Sequence, residues 1–344
     1  MKIGEIVVAG CAAAVAACGF VSVRRLKRAL REAAARLAAY GAESAVLSYG
    51  RMTYVDRMPV DENLGDKKPS DEGSGDKKLE GKELYGKAPN GKRPGEKAAV
   101  EALLSVHGLY GGYDQAFENV GSLSSRYRIL APSRFGYPGS SVKGEGTPRE
   151  QAEAYAELLD RLEIERAFVL GASAGGTSAI RFALDFPERT KGLILYCSAA
   201  PWNEKPARIP SLMGPPPIMN HDLSMWLAFP LYRRLYGMPA DVVHGMLPLS
   251  KRKEGADLDA RIVNRDMAVN FEAYPIEEMH VPVLLLHARD DRMAPFKGPA
   301  GQVEGSLHRY PNLETKIFET GGHLMTGHSR ETDATVVEFI ERHK

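Results

Sequence analysis

The apolar positions of this chain fall into several distinct rhythms. From Ile6 to Val23 no residue is charged (IVVAGCAAAVAACGFVSV). The run is rich in Ala and Gly and sits at the short end of what crosses a bilayer as a helix. Residues 24–44 follow with cations set among small apolar residues. Leu26, Leu30, Ala34 and Leu37 recur there at helical spacing, which predicts a basic amphipathic helix. Ala45 to Asp56 alternates around a glycine and reads as a β-hairpin.

Further along, short unbroken apolar runs take over. ALLSV (102–106), YRILAP (127–132), RAFVLGAS (166–173), GLILYCSA (192–199), VPVLLLHA (281–288) and ETKIFET (314–320) predict six strands. Helices are predicted over Gln151–Arg161, behind Thr147-Pro148 as cap and first-turn proline, and over Ala174–Phe186 and Thr332–His343. Continuous apolar strands separated by helices indicate an α/β fold, with a mostly parallel central sheet covered by helices on both faces.

Two stretches interrupt that rhythm. Residues 60–96 are Lys, Asp, Glu, Gly and Pro with almost nothing apolar, and repeat GDKK at 65–68 and 75–78. Such a segment buries too little to offset its ordering entropy, so a disordered insertion is expected. Residues 201–275 hold many prolines, both tryptophans and the run SMWLAFPLYRRLYGMP. Their place between two strands suits an inserted helical cap that walls a substrate pocket. The core then comprises 45–59 with 97–200, and 276–344.

Composition narrows the class. The 344 residues are 44% hydrophobic and 26% charged, with a formal net charge of +1, an ordinary balance for a globular protein. No basic stripe interleaved with aromatics suggests nucleic acid. Of three cysteines, Cys11 and Cys18 lie in the first apolar run and only Cys197 is left for the body, which excludes a disulfide framework within it. No His/Cys cluster has zinc spacing, so neither a metal nor a cofactor is expected. Arg24, Arg25, Lys27, Arg28 and Arg31 follow the first run rather than precede it. By the positive-inside rule that favours residues 1–23 as an uncleaved anchor with a cytoplasmic body, the basic helix resting on anionic headgroups. Val15-Ala16-Ala17-Cys18 also resembles a lipobox, which leaves an exported lipoprotein open, and an Ala-rich helix without a membrane role stays open too.

The chemistry concentrates in Gly171-Ala172-Ser173-Ala174-Gly175, a G-x-S-x-G directly after a predicted buried strand and before a predicted helix. Small residues on both sides permit a sharp turn that lifts a serine Oγ clear of the sheet. His107-Gly108-Leu109-Tyr110-Gly111-Gly112, Arg134-Phe135-Gly136-Tyr137, HARDDRMAP (287–295) and Gly321-Gly322-His323 accompany it. With these motifs, the chain from about Ala45 onward, less the charged insertion, resembles the α/β-hydrolase family. The resemblance implies Ser173 as nucleophile, an aspartate as acid and His323 as base. Its acid-loop pattern counts to Asp291, with Asp290 as the alternative. It also implies an oxyanion hole from the amides of Leu109 and Ala174, with His107 ordering that loop. Tyr110, Trp202 and Trp226 are candidate substrate contacts.

A serine argues against the dehalogenase and epoxide-hydrolase chemistry of relatives with Asp at this place. It leaves ester hydrolysis, lipid deacylation, peptide cleavage, carbon–carbon bond hydrolysis and acyl transfer, among which fold does not choose. The apolar cap and first run favour a small-molecule or lipid ester met near a membrane. A non-catalytic, membrane-tethered binding protein on the same frame is the contrasting reading.

Overall fold

The computed structural model describes residues 22–59, 100–297 and 302–344. The charged insertion expected at 60–96 lies outside them, and so does the first apolar run except for residues 22 and 23. The described chain opens with helix α1 (22–39) and a hairpin of β1 (Glu43–Leu47) and β2 (Gly50–Arg57). The body follows as β3 (Ala102–Val106), α2 (Tyr113–Glu118), β4 (Arg128–Pro132), α3 (Pro148–Arg161), β5 (Ala167–Ala172), α4 (Gly175–Asp185) and β6 (Thr190–Tyr196). A helical cap of α5 (Asp222–Tyr236), α6 (Ala240–Gly245), α7 (Lys253–Leu258) and α8 (Asn264–Val269) intervenes. The core then resumes with β7 (Val283–Ala288), α9 (Gln302–Ser306), β8 (Leu313–Phe318) and α10 (Ser329–His343).

Among the described residues the strands form one eight-stranded sheet in the order β1-β2-β4-β3-β5-β6-β7-β8. The β1/β2 and β2/β4 pairs are antiparallel and the rest are parallel. Successive strand residues feed opposite faces, as a pleated strand requires. Leu104, Val169, Leu193 and Leu285 pack toward Tyr155 and Leu159 of α3 and Ile180 and Phe182 of α4. Leu103, Phe168, Ile194 and Leu284 pack toward Phe117 of α2 and Val336, Phe339 and Ile340 of α10. Burial on both faces is why these strands read as unbroken apolar runs.

Strand β3 keeps the bounds the pattern gives, and the other ends of the sheet strands and of α3, α4 and α10 move by at most three residues. Helix α3 starts at Pro148 because Thr147 and Glu150 close a capping box, with Glu150 N donating to Thr147 Oγ1 at 3.2 Å and Thr147 N to Glu150 Oε2 at 3.1 Å. Helix α2 was not foreseen, since six residues are too few to display a helical period.

The N-terminal helix is the larger correction. It ends at residue 39, and its stripe is Leu26, Leu30, Ala33, Leu37 and Tyr40 rather than one through Ala34, which is exposed. That stripe faces the protein. Ala33 and Leu30 join a cluster with Met225, Phe229 and Met246 of the cap, while Leu37 and Tyr40 join the core around Phe117. Trp226 Nε1 donates to Ser22 Oγ at 3.2 Å, Arg36 Nη2 donates to the Gly245 and Leu247 carbonyls at 2.9 Å each, and Tyr113 Oη donates to the Leu37 carbonyl at 3.1 Å. Among the described residues no helix is long and apolar enough to cross a membrane.

Leu37→Ala is expected to lower the unfolding free energy by about 2–4 kcal/mol, as other buried leucine truncations do. Ala34→Gln should stay within about 0.5 kcal/mol, as exposed positions do. Urea denaturation checks both; equal small effects would show that α1 is not packed as described.

Candidate active site

Strand β5 runs into α4 through a turn at Ser173. The serine has φ 51, and its amide donates to the Tyr196 carbonyl of β6 at 3.0 Å. A non-glycine residue at positive φ is costly and persists only where its surroundings impose it. Two close approaches impose it here. A Cβ on Gly175 would lie 2.4 Å from the His107 carbonyl oxygen, and one on Gly108 would lie 3.0 Å from Ser173 Cβ. Glycines thus let the 107–112 loop lie directly against the start of α4. Ser173 and Ala174 are half-buried.

His323 follows two positive-φ glycines, Gly321 and Gly322, after β8. Its Nε2 lies 2.9 Å from Ser173 Oγ, and its Nδ1 lies 2.8 Å from Asp291 Oδ2. The serine hydroxyl donates to Nε2 when Nδ1–H donates to the carboxylate. Asp291 Oδ1 accepts from the Met293 and Ala294 amides at 2.8 and 3.0 Å. Burial works against the Asp291 charge, but the His323 hydrogen bond and charge, with the Ala294 amide, outweigh it and hold the carboxyl below its ordinary range. Asp290 instead accepts from the Gly321 and Gly322 amides at 3.3 and 2.8 Å. The structure therefore brings Asp291 to the imidazole, and Asp290 to the loop that carries it.

The 107–112 loop is held by buried groups. The Arg134 amide donates to His107 Nε2 at 2.9 Å, so Nδ1 carries the proton and donates to the Gly108 carbonyl at 2.8 Å. Burial, together with the Arg134 charge, pushes the His107 pKa well down and keeps the ring neutral. That suits an ordering role and not proton transfer. Among the described residues the Leu109 and Ala174 amides donate to no neighbouring carbonyl.

Two ion pairs that single-sequence reading missed join this loop to the cap. Arg134 Nη1 and Nη2 bind Asp259 at 2.6 and 2.7 Å, and Nη2 also donates to the Gly108 carbonyl at 3.1 Å. Tyr137 Oη donates to the same carboxylate at 2.6 Å. Asp259 opens a π-helical stretch, Asp259–Val263, between α7 and α8. Arg252, fully buried, binds Asp114 at 2.7 and 3.1 Å and donates to the Gly111 carbonyl.

The three candidate substrate contacts are placed differently. Tyr110 is buried, and its hydroxyl donates to Asn220 Oδ1 of the cap at 2.7 Å. Trp226 is engaged with Ser22, Phe229 and His244. Trp202 is half-buried, with its carbonyl accepting from Arg309. None of them joins the hydrogen-bond chain of Ser173, His323 and Asp291. Among the described residues no group of His, Cys, Asp and Glu is arranged to hold a metal.

Two buried histidines set an acid response. Burial lowers the pKa of both His107 and His287. The unfolded chain then takes up protons first as pH falls. Their contribution is complete above about pH 6.5 and declines below it, by up to ~1.4 kcal/mol per pH unit for each ring. Asp291 is depressed below the carboxylate range, so its contribution is lost only at lower pH. Urea midpoints measured from pH 7.5 to 5 should fall, and His107→Gln should flatten that slope. A midpoint independent of pH over this interval would refute the assignment.

Comparison with known proteins places this geometry. The profile described as "Alpha/beta hydrolase family" matches residues 103–337. A 2-hydroxy-6-oxononadienedioate/2-hydroxy-6-oxononatrienedioate hydrolase of Cupriavidus pinatubonensis is 29% identical over 264 residues, covering 71% of this chain and 88% of that protein. Among solved structures, a carboxylesterase from Bacillus subtilis aligns with a TM-score of 0.58 at 16% identity, covering 93% of this chain and 98% of its own. An enol-lactonase from Burkholderia xenovorans aligns at 0.56 and 17% identity, covering 87% and 100%. A sheet of this order, a serine on a strained strand-to-helix turn, and a match across most of the core agree: the chain belongs to the alpha/beta hydrolase family.

Proposed function

We propose that this protein is a serine hydrolase that cleaves a carboxylic ester through an acyl-enzyme intermediate. The observation that carries the reading is the continuous path Ser173 Oγ, His323 Nε2, His323 Nδ1, Asp291 Oδ2, with contacts of 2.9 and 2.8 Å. A serine hydroxyl is a poor nucleophile at neutral pH. His323 takes its proton as Oγ attacks the carbonyl carbon, then returns it to the leaving alcohol. Asp291 holds the Nδ1–H tautomer and stabilises the imidazolium. The Leu109 and Ala174 amides receive the oxyanion, and the start of α4 adds its dipole there. Water then enters by the same relay and releases the acid.

The ester reading is favoured over carbon–carbon cleavage by the charges around the serine. Relatives such as the Cupriavidus protein are named for dicarboxylates, whose anions need cations. Here Arg134 and Arg252, the buried cations next to the 107–112 loop, are each committed to a carboxylate of this chain. The cap around them is apolar, with Met219, Met225, Phe229, Met238 and Met246. Carbon–carbon bond hydrolysis remains the second reading, supported by those relatives' names and by a triad that serves either reaction.

Labelling with a fluorophosphonate probe tests the first part. Wild type is expected to label and Ser173→Ala to remain unlabelled, with ester turnover down by ~10⁴-fold or more. Unlabelled but folded wild type overturns the enzyme reading. Turnover of a vinylogous diketone acid in preference to a panel of acyl esters would replace ester hydrolysis with carbon–carbon cleavage.

A further inference from the structure

Helix α5 has two apolar faces. Met225 and Phe229 are buried in the cap, with Trp226, Tyr232 and Tyr236 partly buried beside them. On the outer side Leu223, Leu227, Leu231 and Leu235 recur every four residues and are 49%, 64%, 59% and 46% exposed. Ile218, just before the helix, is 67% exposed. A helix that covers a core from outside ordinarily turns polar residues to water. A row of exposed leucines is instead the mark of a contact surface.

The setting of that row identifies what it meets. The start of α1 lies against α5, through Ser22 and Trp226. On these two helices Arg25, Lys27, Arg28 and Arg31 of α1 and Arg233 and Arg234 of α5 are exposed. Of the acids on these two helices, Glu32 pairs with Arg28 and Asp222 accepts the Leu249 amide. We infer that the outer face of α5, with the basic start of α1, is a docking surface for a bilayer containing anionic phospholipid. The leucines enter the acyl boundary, while the arginines and lysine meet headgroup phosphates. A second copy of the chain is a poorer occupant, because a two-fold pairing of this face sets its cations against one another.

The docking face also has a fixed relation to the candidate active site. The last turn of α5 meets two of the three segments that carry the triad, the Asp291 loop and the His323 loop. Arg292 Nη1 donates to the Leu235 carbonyl at 3.4 Å, and a Cβ on Gly322 would lie 3.6 Å from the Tyr236 carbonyl oxygen. Docking through α5 therefore turns the His323 side of the molecule toward the lipid. If the esterase reading holds, the substrate class is an acyl ester delivered from the lipid phase; the docking itself does not depend on that reading.

The test is vesicle flotation of the full chain and of L227E/L231E. The vesicles are phosphatidylcholine alone or phosphatidylcholine with phosphatidylglycerol. Wild type is expected to float with the anionic vesicles, less so at high salt, and the double variant to bind about tenfold more weakly or worse. Thermal unfolding checks that the variant is folded, and L227S/L231S replaces it if it is not, with the same expectation. Flotation undiminished in the folded variant assigns binding to residues 1–21 and overturns the proposal. Wild type that does not float overturns it as well, and so does a wild-type dimer that the variant dissociates. Flotation is read without turnover, so an unreactive Ser173 sinks the esterase reading and leaves this one standing.

Discussion

Ser173 is held at φ 51 by the close approach of a neighbouring loop. The 107–112 loop presses on the first turn of α4 so closely that a single added carbon at Gly175 would meet backbone oxygen at 2.4 Å. The serine is fixed between that loop and the hydrogen bond from its amide to Tyr196. Its Oγ lies 2.9 Å from His323 Nε2. An unconstrained serine would spread over rotamers and lose the alignment that proton transfer in the transition state needs. The parallel sheet supplies the rigidity, since β3, β5 and β6 are buried on both faces and deliver the loop, the serine and its anchor at one edge.

The same loop has a second set of restraints, and these come from the cap. Asp259 reaches Gly108 through Arg134, and Arg252 reaches Gly111 directly while binding Asp114. Such pairs are not simple stabilisers. Desolvating both charges offsets most of their attraction, yet losing one partner strands the other and typically costs about 3–5 kcal/mol. Their consequence is positional. A cap that shifted as a unit would have to break charged bonds to the loop that presents the Leu109 amide. Cap position and the geometry of the 107–112 loop are thus coupled by bonds and not only by packing.

Much of the core was legible because its physical causes are local. Doubly buried strands leave unbroken apolar runs, and a strained turn demands small residues beside Ser173. The acid motif counted to Asp291, and the structure places that residue 2.8 Å from His323. What was illegible depends on partners far away in the chain. Arg134 and Asp259 are 125 residues apart, and a buried arginine looks in sequence like a surface one. The hydrogen bonds of the candidate contacts Tyr110 and Trp226, to Asn220 and Ser22, likewise join residues 110 and 204 positions apart. One position of the α1 stripe differs, Ala33 in place of Ala34, because the two are identical in size and differ only in what faces them.

The packing of α1 on the cap and core changes how the N-terminal region is understood. A free basic helix is a tether whose catalytic body can take any orientation. A helix whose Leu26, Ala33 and Leu37 are buried, and whose Arg36 binds two cap carbonyls, moves with the cap. Its exposed cations then have a fixed bearing relative to α5 and, through Arg252 and Asp259, to the 107–112 loop. In the docking inferred above, attraction at α1 would therefore act on the helix, the cap and the sheet together, and orientation at the surface would follow from the fold.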